Sequence, residues 1–239
     1  MRRAVLALGL LPALLHLPVR ADALADVRAA LDRLSSQAPV RARVRIARTD
    51  VEKEKPKGLE KKGEAVVEHG PAGLTIRVEP EFLPKEGPRA ERKKQEEATV
   101  RLAPKEALDL LDPAREIREL LDGAALVSDG TAPFEGKSVR TVVFRPQPDL
   151  DDEDRKALKK YEDVVTLRLD ADAVPFALDR SVDLKFSKLL ISFTASSRES
   201  RRFARVEGRL LTTAASEESR GSGLGQSGGS TTRWSVTPL

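Results

Sequence analysis

Few side chains in this sequence are of the kinds that do covalent or metal chemistry. The 239 residues include no cysteine and two histidines. That removes disulfides, a thiolate nucleophile and a Cys/His zinc site. A Ser-His-Asp triad would have to use His69, because His16 lies in an N-terminal segment expected to be cleaved off. There is no G-x-S-x-G elbow, and Gly221-Ser222-Gly223 falls in a Gly/Ser-rich tract, a poor place to hold a nucleophile. Asp151, Asp152, Glu153 and Asp154 bring four acids together but lack the alternate spacing and the glycine of a calcium loop. With Lys156, Lys159 and Lys160 behind them they read instead as the acidic start and basic end of a helix, Asp151 to Glu162. No catalytic residue, metal or cofactor is expected, and the chain is read as a non-enzyme.

Charged residues make up 33% of the chain, yet the formal charge is only +4. Such balance argues against a nucleic-acid partner, which would select a lopsided basic face. Arg41, Arg43 and Arg45 alternate with apolar residues and read as the wet face of a strand. The N-terminus combines a basic start (Arg2, Arg3), an apolar run from Ala4 to Leu17 and a small-x-small site at Ala21-Asp22-Ala23. Residues 1–23 are therefore expected to be a secretory signal peptide, leaving a mature chain of about +2. No later apolar run approaches the ~20 residues of a spanning helix. A periplasmic protein that does not span the membrane is expected, and a monomer.

The elements follow from periodicity. Leu24, Val27, Leu31 and Leu34 recur at helical spacing. Val40, Ala42, Val44 and Ile46 then alternate with the arginines, as in a half-buried antiparallel strand. Gly63 to His69 and Gly73 to Glu79 give two more strands around Gly70-Pro71, with His69 placed in solvent at that turn. Asp50 to Lys62 reads as an exposed hairpin connection, and residues 81–98 (EFLPKEGPRAERKKQEEA) as a mobile charged loop. Pro104 to Leu111 and Ala114 to Asp122 read as helices, with Asp112-Pro113 as N-cap and first residue of the second and Gly123 as its stop. Ala124 to Ser128, Val139 to Arg145, the run from Val165 and Phe203 to Thr212 read as strands. Apolar parity flips across Ser187-Lys188, which predicts a bulge or sharp bend there. Residues 214–230 read as a mobile Gly/Ser-rich loop, and Thr231 to Val236 as a last strand carrying Trp234 and Val236 on one face.

The order of helix LDRLSS, alternating strand, charged turn and GEAVVEHGPAGLTIRVEP resembles the start of the outer-membrane lipoprotein carrier (LolA-like) superfamily. Gly63 opens a strand, Pro71 sits in the turn and Pro80 ends the next strand, as in that family. The resemblance covers Leu24 to Pro80. The carrier has aromatic residues on these strands where this chain has Val, Leu and Ile. The resemblance implies an α+β fold: a strongly curved antiparallel sheet, an unclosed β-barrel, with helices covering its concave face, formed by one domain over residues 24–239. It also implies a periplasmic protein that binds a lipid, acyl chain or lipoprotein in an apolar cavity between sheet and helices, with envelope membrane proteins as further partners. The residues expected to line that cavity are Leu31 and Leu34 on the helix and Val44, Ile46, Leu74, Ile76 and Val78 on the sheet. The alternative is a cell-envelope structural or sensory domain with a filled interior, which would bind a protein through its charged loops.

Overall fold

Strict alternation over long runs is what builds this molecule. A computed structural model describes residues 23–34, 38–52, 55–83, 88–148, 157–188 and 191–239; the expected signal peptide lies outside them, apart from its last residue, Ala23. Ten strands form one open antiparallel sheet in the order β3-β2-β1-β10-β9-β8-β7-β6-β5-β4. They are β1 (Val40–Glu52), β2 (Lys55–Gly70), β3 (Gly73–Val78), β4 (Ala125–Phe134), β5 (Lys137–Arg145), β6 (Leu158–Leu169), β7 (Pro175–Lys188), β8 (Ile191–Val206), β9 (Arg209–Gly223) and β10 (Gln226–Pro238). Apart from β3 and β4, strands consecutive in the sequence pair antiparallel, and β1 pairs with β10, the last strand of the chain. The two edges, β3 and β4, are therefore consecutive strands in the sequence. The segment between them carries helices α2 (Arg89–Ala98), α3 (Pro104–Leu111) and α4 (Pro113–Leu121). Helix α1 (Ala23–Asp32) precedes β1.

Cross-strand partners point to the same side of a sheet, so one face can be traced through the register. It runs from Ile76 to Val67 and Ala42, and from Val44 to Val236. From Trp234 it passes to Ala215, Arg201 and Leu178, and ends at Leu167 and Val142. Two apolar clusters form on this face. In one, Val27, Leu31, Ile117 and Leu121 of α1 and α4 pack on Val142, Phe144, Val165, Leu167 and Leu178. In the other, Ala107, Leu110 and Leu111 of α3 pack on Val44, Ile46, Val67, Trp234 and Val236. Between the clusters the same face turns polar.

Several expectations change here. Residues 89–98 form α2, and a 3-10 turn spans Pro80–Phe82, where a mobile loop is read from the sequence. The tract 214–230 is strand on both sides of a turn at Leu224-Gly225, because the backbone bonds of a ladder do not depend on side-chain type. Asp50 to Lys62 lies on the arms of the β1–β2 hairpin, apart from residues 53 and 54, which lie outside the described residues. Residues 158–162 belong to β6 and not to a helix; 151–156 lie outside the described residues. The parity flip near Ser187-Lys188 comes from a reversal of the chain: Phe186 pairs with Phe193 and Lys188 with Ile191, so even residues of β7 face the side of odd residues of β8. The tract 203–212 is likewise two strands, parted at Glu207-Gly208. That turn and those at Glu135-Gly136 and Leu224-Gly225 have φ near +50° and +75 to +79°, the two-residue geometry that matches strand twist. Asp112 does cap α4, accepting from the Arg115 N–H at 3.2 Å.

Candidate functional site

The polar stretch between the two clusters is built from five elements. β8 contributes Ser197, Glu199 and Arg201, β9 contributes Glu217, and β7 contributes Arg180. Asp109 comes from α3 and Glu116 from the first turn of α4. The sheet residues share the helix-covered face by register. Together with Trp234 and Ala215 they line a cavity of about 390 Å³.

Charges in this cavity are paired unevenly. Arg201 donates through one side of its guanidinium to both oxygens of Glu116 and through Nε to Glu199. Arg180 makes a two-pronged contact with Asp163, at 3.0 Å from Nε and 2.7 Å from Nη2, and Asp163 is buried. The Tyr161 hydroxyl donates to the same carboxylate at 3.1 Å. Burial first, then the Asp163 charge, pushes the Tyr161 phenol up to about 12, so it stays protonated. Asp109 is held by Arg115 at 2.7 Å. Burial raises the Glu116 and Asp109 carboxyls above their ordinary range, with the attraction of Arg201 opposing. Glu217 accepts from the Ser197 hydroxyl at 3.0 Å and has no cationic partner among the described residues.

A second cavity, of about 500 Å³, lies on the other side of Trp234 and Ala215, which line both. Ile46, Gly63 and Phe82 are among its walls, and little of its surface is polar. Trp234 is 8% exposed, and its Nε1–H finds no acceptor among the described residues. A buried indole N–H normally finds a partner. Two further hollows, one beside Gly221, Gly228 and Gly229 and one near Arg198, Glu218 and Arg233, have no helix residue in their walls.

The residues expected to form one ligand site are divided. Leu31 is fully buried, and Leu34 is packed against the same α1–α4 cluster. Val44 and Ile46 sit in the other cluster, with Leu74 and Ile76 packed against it and Val78 half-buried on β3. Only Ile46 borders a cavity described above. His69 is not a solvated turn residue: it pairs with Val40 and Leu74 on the covered face, and its Nδ1 is buried without a partner. The charged residues of the cavity are absent from the sequence reading. One trace of them exists: from Thr194 to Arg202 (TASSRESRR) neither alternating set is apolar, which is the mark of a strand with a polar interior face.

No protein-family model matches this chain, and no curated protein matches it. Among the described residues, no helix is long and apolar enough to cross a membrane, and no group of three or more His, Asp or Glu could hold a metal ion.

Proposed function

We propose that this chain is an exported, non-catalytic binding protein that holds a lipid or other amphiphile between its helices and the concave side of a rolled sheet. The observation that carries the reading is the pair of cavities meeting at Trp234, one largely apolar and one charged. An amphiphile needs both environments, one for its chain and one for its head. Each volume falls in the range of small-molecule sites. Burial of an alkyl chain supplies roughly 0.8 kcal/mol per methylene.

Curvature is supported by the reach of α3, which touches both β3 and β9. Four strand spacings separate these in the sheet order, roughly 19 Å if flat at about 4.8 Å per strand. An eight-residue helix is only about 12 Å long. Rolling the sheet brings the two strands within reach of one helix. The links through the edges agree: the chain leaves β3 at one edge and reaches β4 at the other through α2, α3 and α4. Loading would then require the helices to shift relative to the sheet, since α3 forms part of the wall.

Trp234 is the only tryptophan, so its fluorescence reports the site directly. The mature protein is expected to copurify with an extractable lipid, and a spin-labelled fatty acyl probe should quench Trp234 emission saturably. An empty extract together with unquenched emission would refute the reading.

A further inference from the structure

We infer that the head group taken by this site is cationic: an ammonium-bearing amphiphile, its ammonium beside Glu217 and its alkyl chain in the pocket of Ile46, Phe82 and Trp234. The inference rests on the amphiphile-binding reading above and names the class of ligand. The buried guanidiniums of the charged cavity are already engaged. Arg201 serves two carboxylates and Arg180 serves Asp163. Lys105 stands exposed at the rim, where solvent screening weakens any ion pair. An anionic head would thus meet Glu199, Glu217, Asp109 and Glu116 with no free buried cation to receive it.

A cation meets the reverse situation. Glu217 has only a serine hydroxyl as partner, so one carboxylate is left to pair with charge from outside. Trp234, which lines both cavities, adds a ring face that attracts ammonium groups. Its buried, unpartnered Nε1–H calls for an acceptor at the same depth. A hydroxyl, ester or amide oxygen at the junction of head and tail would supply it. A carboxylate with no cationic partner among the described residues and a buried donor with no acceptor together define a head with a cation and a neighbouring oxygen.

The test uses the mature chain and Trp234 emission, titrated below micelle formation with dodecylammonium, dodecanoate and neutral monododecanoylglycerol. Dodecylammonium is expected to bind at least about tenfold more tightly than dodecanoate. Glu217→Gln keeps the acceptor for Ser197, so its melting temperature should match the wild type. It should weaken dodecylammonium about tenfold and leave monododecanoylglycerol unchanged, with Glu217→Asp intermediate. Equal or tighter binding of dodecanoate, or an unaltered dodecylammonium affinity in Glu217→Gln, would overturn the cationic assignment while leaving the amphiphile reading standing. If no probe of any charge moves the emission, both fall together.

Discussion

Arg201 and Glu116, 85 residues apart in the sequence, form a two-pronged ion pair that ties the first turn of α4 to the centre of the sheet. Both side chains are largely buried, and the same guanidinium also holds Glu199. Removing the cation strands two carboxylates in a poorly solvated place. Arg201→Met should therefore destabilise the fold by about 3–5 kcal/mol, measured by urea unfolding. Glu116→Gln should cost less, because Glu199 still neutralises Arg201.

The crowding of acids around that arginine sets a pH dependence. Burial is the main cause that lifts Glu116 above its ordinary 4.5 and Asp109 above its ordinary 3.8. A raised carboxyl binds its proton more tightly folded than unfolded, so these two contribute stability that is complete below the ordinary values and lost as pH rises through the raised ones. Asp50 has the opposite sign: its bond to Lys61, chiefly, holds it below 3.8, so its contribution disappears only under stronger acid. As the pH is lowered from neutrality towards the ordinary glutamate value of 4.5, the melting temperature of the wild type should rise relative to that of Glu116→Gln. Parallel curves in thermal melts across that range would contradict this.

Gly63 is set by contact and not by turn geometry. A Cβ there would lie 2.1 Å from the Val100 carbonyl oxygen, where the chain between α2 and α3 pairs in parallel beside β2 and the Val100 N–H bonds to the Lys62 carbonyl at 3.0 Å. Gly63→Ala must displace that segment and should cost about 1–3 kcal/mol. Gly130→Ala, with nothing within 4 Å, should change stability by no more than about 0.5 kcal/mol. Urea midpoints of the two variants provide the comparison.

Leu31 separates packing from binding. It is fully buried among Ile117, Leu121 and the β5–β7 residues, and it does not border either cavity that meets at Trp234. Leu31→Ala should lower stability by about 2–5 kcal/mol and leave the affinity for an alkyl probe unchanged in those molecules that remain folded. Ile46→Ala, at the apolar cavity, should weaken the probe itself. Isothermal titration of both variants decides between the two roles.

Much of the local structure was legible. The α1 face through Val27 and Leu31, the α4 cap at Asp112 and the inward set Val40, Ala42, Val44 and Ile46 all appear as read. Over 81–98 and 214–230 the sequence signal is compositional, and composition reports solubility better than conformation. The polar strand β8 escaped because periodicity detects an apolar face, and Thr194 to Arg202 has none.

Where apolar and polar residues alternate, as in α1, α4 and β1, sequence alone determined which residues share a side, since that depends only on a repeat of 3.6 or of 2 along a few consecutive residues. Tertiary structure decided which elements meet. The pairing of β1 with β10 and the gathering of Asp109, Glu116, Arg180, Glu199 and Glu217 around one hollow depend on contacts between distant parts of the chain. No local pattern encodes them, because each of those residues taken singly is indistinguishable from one on a solvated surface.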